Sequence, residues 1–411
     1  MDADETTVLI SSNSQQITDD ITNYAGDERK KAVTNGKFKL PMCNVHTSLT
    51  FIKAICAIIC IVTLCGVSIT LPILSQSILL SGYCHSNQYY TLISCDIWFP
   101  VAFWLAALMV KLYNPSFSFK SYTSHRVFAL LGLLEALNAV FVVYASPPNR
   151  TTPSLQVILR SLRIPYTVVL SYIVLHKSSG AGRLICTLGT LIGLFISFEP
   201  NIFNIDNQYD HHAGESLVWP IIFGLAYLPN SLSTVLQERE IKKDSMEEAL
   251  IFEAWLQTYK VFYFGLVFWV EFIPGFGESK TLQQFRNGMF CGLMSQFTGN
   301  SKVHYPWAAG ISCAFILFFC ISQLSSLLLL RYADGANYLV IIQALVIPLV
   351  AFFWTMFTDK KYFHWYPHFT ISTGFIIAGV TIILPCVLLY SHFSAMEEGI
   401  LADDNDNNSQ N

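Results

Sequence analysis

Two stretches of this chain are apolar enough for a lipid bilayer, yet each is interrupted by polar residues and a proline. The first runs from Ser154 to Leu175 and carries Gln156, Arg160, Arg163 and Pro165. The second runs from Asn337 to Pro348 and carries Gln343. Setting Pro165 on Pro348 brings Ile164 onto Ile347, Leu162 onto Leu345, Val157 onto Val340 and Arg160 onto Gln343. Polar, proline-broken segments at matching places in two halves of a chain mark a solute path built from an internal repeat.

Composition fixes the solvent. Of 411 residues, 53 % are hydrophobic and only 13 % charged, against roughly a quarter charged in soluble domains. Such a chain cannot cover itself with polar surface, so it is expected in a membrane with lipid as its neighbour. Ten apolar stretches approach the roughly 20 residues that a spanning helix needs: Phe51–Leu71, Tyr90–Leu112, Ser124–Ala145, Leu155–Leu175, Leu184–Phe198, Leu217–Leu236, Ala249–Ile273, Trp307–Leu330, Tyr338–Phe357 and Thr370–Leu389. The net charge of −4 comes with no basic stripe, which argues against a nucleic-acid partner. No zinc-type cysteine spacing, phosphate-cradling glycine loop or catalytic constellation is present. The sequence therefore points to no metal, no cofactor and no enzyme. Most of the 11 cysteines lie inside apolar spans, where they serve as small apolar fillers.

The repeat offset spans five helices. Five is odd, so the second copy enters the membrane upside down relative to the first. The expected fold is an all-α integral membrane protein of ten transmembrane helices, arranged as two inverted five-helix halves, 45–200 and 201–392. A loop at 274–306 interrupts the second half. Polar tails at 1–44 and 393–411 read as disordered. A second echo joins Gly189 and Gly193 to Gly374 and Gly379. Small residues there let helices approach closely, or they form a homodimer seam; monomer and homodimer both stay open. Lys and Arg sort by side: with a cytosolic amino terminus, fourteen of the 24 fall inside and six outside. Both termini are thus expected in the cytosol. The sequon Asn149-Arg150-Thr151 and six histidines (85, 211, 212, 304, 364 and 368) then face the other compartment. Histidine changes charge near neutrality, so these residues either report an acidic lumen or simply belong to loops. In the first tail, Glu5, Leu9 and Ile10 have the form of an acidic dileucine signal, read by cytosolic sorting adaptors.

Several features occur in one order along the chain. They are Ile164-Pro165, then Leu228-Pro229-Asn230-Ser231 running through Ser233 and Glu238 to Lys242-Lys243, Trp255-Leu256-Gln257, Phe285 to Gly292, and the helix of Gln343. Together they resemble the chloroquine-resistance-transporter-like (CRT-like) family of the drug/metabolite transporter superfamily, over about Val45 to Leu389. The resemblance implies a ten-helix carrier of a vacuolar or lysosomal membrane. Such a carrier moves small solutes out of an acidic lumen by alternating access, driven by protons. Amino acids, short peptides and thiols such as glutathione are the implied cargo. Parasite members carry a longer, disulfide-linked loop between helices seven and eight; here that loop has only Cys291, so the same cross-linking is not expected. A Cys84–Cys95 bridge in the first lumenal loop is conceivable. Where those members have an acidic residue in helix eight, this chain offers Ser322-Gln323.

The candidate cavity residues are Gln156, Arg160, Arg163, Tyr166, Ser231, Gln257, Gln323 and Gln343. Arg160 and Arg163 are three apart and share a helix face. A buried arginine costs roughly 2.5–3.5 kcal/mol on insertion scales. It must therefore face a water-filled path, where it would bind a carboxylate, or be neutralised by Glu135 or Glu199. Like charge repels in a low-dielectric path, so two arginines disfavour organic cations. Each buried amide needs another helix or a polar solute as partner. Glu135 and Glu199 are the proton-coupling candidates. Glu238 and Glu253 are placed near cytosolic helix ends, in solvated structural roles. Pro165, Pro229 and Pro348 are read as kinks. Two rivals remain: a nucleotide-sugar or phosphate-ester antiporter of the secretory pathway, and a membrane receptor.

Overall fold

A computed structural model describes residues 37–39, 46–79, 88–147, 150–151, 156, 159–176, 180–202, 218–243, 248–277, 279–298, 308–333, 335–358, 364–365, 367, 369 and 371–408. The chain falls into two units, Met1–Cys56 and Ala57–Asn411. In the first, strands β1 (Lys37–Lys39) and β2 (His46–Ser48) pair antiparallel, with Phe38 opposite Thr47. The dileucine signal lies outside the described residues.

The helices are α1 (Leu49–Leu79), α2 (Gln88–Asp96), α3 (Trp98–Tyr113), α4 (His125–Ala145), α5 (Arg163–Leu175), α6 (Ala181–Ile202), α7 (Val218–Lys243), α8 (Ala249–Val267), α9 (Leu282–Thr298), α10 (Ala308–Tyr332), α11 (Ala336–Met356) and α12 (Ile371–Asn408). A 3-10 turn, Phe268–Phe272, follows α8, and a two-residue ladder, Phe357–Thr358 with His364–Trp365, follows α11. Each of the ten apolar stretches contains helix. Among the described residues, seven helices are long and apolar enough to cross a membrane, and Ala181–Ser197 is an apolar but shorter one. Two more fall short for visible reasons: α5 starts only after a break at Leu162, and α8 carries Glu253 and Lys260.

Burial is arranged for lipid. On α6, Ile185, Leu188, Ile192 and Phe195 are exposed at helical spacing, while Cys186, Thr187, Thr190, Leu194 and Ser197 are buried. The large apolar side chains point outward and the small and polar ones inward, the reverse of a soluble helix. The inner face of α6 lies on α12. Gly193 and Gly379 meet there: a Cβ on Gly379 would overlap Ser197 and the Gly193 carbonyl. Gly189 faces Cys386 Sγ, and of these four glycines Gly374 alone has open space around it. Three of the four echoed glycines thus serve close helix approach within the chain.

Three expectations are corrected. Pro165 lies in the first turn of α5, where a missing N–H removes no helical bond, so the break precedes it; Pro229 and Pro348 do lie inside helices. The acidic segment after residue 393 continues α12 through the strong helix formers Ala395, Met396, Glu397 and Glu398 and on as far as Asn408. Cys95 is a buried thiol outside any disulfide, so the Cys84–Cys95 bridge is not formed. Cys291 is disulfide-bonded, its partner lying outside the described residues. Of the six histidines, His364 alone falls within the described residues.

Candidate functional site

The two proline-marked helices meet. Arg163, at the start of α5, donates from Nη1 to Gln343 Oε1 on α11 and from Nη2 to Thr234 Oγ1 on α7, at 3.1 Å. Eight residues further along α5, Ser171 donates to Asn337 Oδ1, six residues earlier on α11, at 3.2 Å. The register rises on one helix and falls on the other, so α5 and α11 run antiparallel. Charged and amide groups make this contact because hydrocarbon offers them no other partner.

Around Arg163 the polar groups form a seam between α4, α5, α7 and α11. Ser231 donates to the Arg163 carbonyl at 3.2 Å, tying α7 to the opening turn of α5. Arg160 Nε donates to Tyr227 OH at 3.3 Å, and Arg160 is exposed where Arg163 is half-buried. Glu135 on α4 accepts from Ser233 at 2.8 Å and Gln237 at 3.3 Å. It lies within electrostatic reach of Arg163, as do Tyr227 and Arg160. At the Pro229 turn, Asn138 donates to the Ala226 carbonyl at 2.9 Å, and Asn230 Oδ1 and Arg163 Nε are buried without a bond.

The other candidates stand elsewhere. Gln156 gives its amide to the Ser146 and Thr151 carbonyls at 2.6 and 2.8 Å, so it closes the turn after α4 and does not join the seam. Tyr166 packs with the cluster of Ala145, Phe223 and Tyr227. Gln323 is half-buried on α10 and shares none of these bonds. Glu199 is half-buried near the end of α6 and joins no such network among the described residues.

Helix α8 departs furthest from its sequence reading. Glu253, Gln257 and Lys260 recur at helical spacing and are all buried, Glu253 to 2 % exposure. Gln257 donates to Glu253 at 3.3 Å and keeps Oε1 unpartnered. Lys260 donates to Asp96, at the end of α2, at 2.6 Å, and its ammonium lies over the rings of Phe99, Phe264 and Phe319. Glu253 is therefore not at a solvated end: it is buried, with Glu135 of α4 and Cys320 of α10 within electrostatic reach. Glu238 is also buried and not solvated. It accepts from Lys242 at 3.0 Å and from the Ala336 amide at 2.7 Å, holding a carboxylate at the amino terminus of α11. Gly335 admits it there, with φ +88 and no side chain to collide with Glu238.

On the side of the turns that follow α4 and α8, Arg150 donates to the Tyr144, Gly275 and Phe276 carbonyls and lies 4.1 Å over the Trp219 ring. Glu271 accepts from Tyr144 at 2.7 Å and Ser279 at 3.3 Å. Asp96, Arg150 and Glu271 were not among the sequence candidates; the only signal was charge inside or beside an apolar run.

Apolar outer faces, buried polar seams and helices of spanning length define a multi-pass α-helical membrane protein. The profile of the CRT-like family (chloroquine-resistance transporter-like) matches residues 57–390, and the chain belongs to that family. No curated protein matches it. A solved crystal structure of a protein superposes with a TM-score of 0.49 at 10 % identity, covering 84 % of this chain and 98 % of its own.

Proposed function

We propose that this protein is a secondary active carrier of small polar solutes that bear a carboxylate: amino acids, short peptides or glutathione-like thiols. It moves them from the lumen of an acidic vacuole or lysosome to the cytosol with protons, by alternating access between two inverted five-helix halves. Membership of the CRT-like family supports a transporter. The observation that carries the reading is the Arg163–Gln343 bond, which joins the two echoed helices antiparallel. Helix pairings support the inversion. Helix α4 packs on α8 as α10 packs on α3, while α5, α6 and α3 lie on α11, α12 and α8, their own counterparts five crossings away. Arg160 and Arg163 supply a donor pole for an anionic group, with Glu135 as counter-charge. A phosphate ester would suit the same two arginines, so nucleotide-sugar exchange is the second reading.

The test is efflux from liposomes with an acidic interior, using labelled glutathione, amino acids and dipeptides, with nucleotide sugars as the rival cargo. Arg163→Leu removes a charged hydrogen-bond donor, about 1.5–3 kcal/mol. Affinity for carboxylate-bearing solutes is expected to fall tenfold or more, and affinity for cations much less. Equal loss for both classes would make Arg163 a structural residue.

A further inference from the structure

Among the buried, described carboxylates of the bundle, Glu253 has the poorest company. Asp96 is paired with Lys260 at 2.6 Å. Glu238 holds Lys242 and the Ala336 amide. Glu271 accepts two hydroxyls, and Glu135 accepts Ser233 and Gln237 within reach of Arg163. Glu253 has one neutral donor, the Gln257 amide, which itself keeps an unsatisfied oxygen. The described charged and titratable groups around it are few. On its own helix stands Lys260, bound to Asp96; from α4 comes Glu135, a like charge; from α10, Cys320. Farther along the same contacts, His125 of α4 faces Trp255 and Tyr259, Lys111 of α3 binds the Pro115 and Phe117 carbonyls, and Glu271 belongs to Tyr144 and Ser279. Among the described residues, no cation is bonded to Glu253.

A carboxylate enclosed in this way is stable in the interior only as a neutral acid or beside a cation that arrives with the cargo. Resting on the carrier reading above, we propose that Glu253 is the group that carries the coupled proton through the transport cycle. In the lumen-facing state its carboxylate takes one proton from lumenal water. The neutral acid is enclosed as the halves rock, and in the cytosol-facing state the proton leaves to cytosolic water. Enclosing the deprotonated form together with a carboxylate-bearing solute would add negative charges in low dielectric beside Glu135, which disfavours solute crossing without the proton. The empty carrier resets without that added charge. Gln257 serves both states, donating to the carboxylate and offering Oε1 to the acid proton.

Two measurements test this on the full-length protein. The first needs no cargo. Infrared difference spectra of the protein in lipid nanodiscs, stepped between acid and neutral pH, should show the carbonyl band of a protonated carboxylic acid coming and going. That band should be lost in Glu253→Gln and kept in Glu199→Gln. The second is the ratio of solute flux with and without an acid-inside gradient, using labelled glutathione, alanine and dialanine. It should fall to about one in Glu253→Gln and recover at least in part in Glu253→Asp. A band and a ratio that stay at the wild-type level in Glu253→Gln would overturn the assignment. Wild-type vesicles that move all three solutes with no response to the gradient would also overturn it, while leaving the carrier reading intact. Wild-type vesicles that move none of them while the Glu253 band titrates would defeat the carrier reading, and the coupling role with it.

Discussion

Lys260 and Asp96 lie 164 positions apart in sequence and 2.6 Å apart in space, with three phenyl rings around the ammonium. Desolvating both charges offsets most of their attraction, but removing one leaves the other stranded, at a cost of about 3–5 kcal/mol. Asp96→Ala should therefore lower the thermal unfolding midpoint sharply in detergent, and Asp96→Ala with Lys260→Met should recover most of the loss. A double variant no more stable than the single one would show that the pair is not what the aromatic box is built around. None of this was legible in the chain: Asp96 closes an apolar run, and nothing local names its partner. Glu253 was legible as a charge but was misplaced. Distance from the helix start suggested water, whereas burial beside Glu135 of α4 and Cys320 of α10 decides its surroundings. Arg163 and Gln343 were legible because an apolar helix tolerates so few polar residues that two in register stand out.

Among the described elements, helices α6 and α12 form the broadest contact, and Gly193 and Gly379 set their separation. Overfilling a packed seam costs about 1–3 kcal/mol in a soluble core. Gly379→Leu should thus reduce the monodisperse fraction on size exclusion, while Gly374→Leu, with nothing within 4 Å of its Cβ position, should leave it unchanged. Equal damage from both would remove the close approach as the reason for these glycines. At this scale the sequence was informative about crossings and less so about their ends. Ten apolar runs were plain, but the unwinding at Leu162, the separation of α2 from α3 at Ile97 and the continuation of α12 to Asn408 depend on neighbours or on local propensity.

For the molecule as a whole, the proposed carrier reading rests on an inverted repeat, which an odd repeat offset predicts. Both tails should then lie on one face. In sealed vesicles of one orientation, tags at the two ends should be cleaved together from the same side, and the pair Ser171→Cys with Asn337→Cys should cross-link under mild oxidation. Cleavage of the two tags from opposite sides would rule out the inverted arrangement. The turn after α4 has a bearing on biosynthesis. Thr151, third residue of the sequon, is wholly buried, and its carbonyl is held by Gln156 while Arg150 beside it is clasped by three carbonyls. A transferase must reach that threonine, so any sugar has to be attached while the nascent polypeptide is still emerging from the translocon. Once the turn has closed, Thr151 is out of an enzyme's reach.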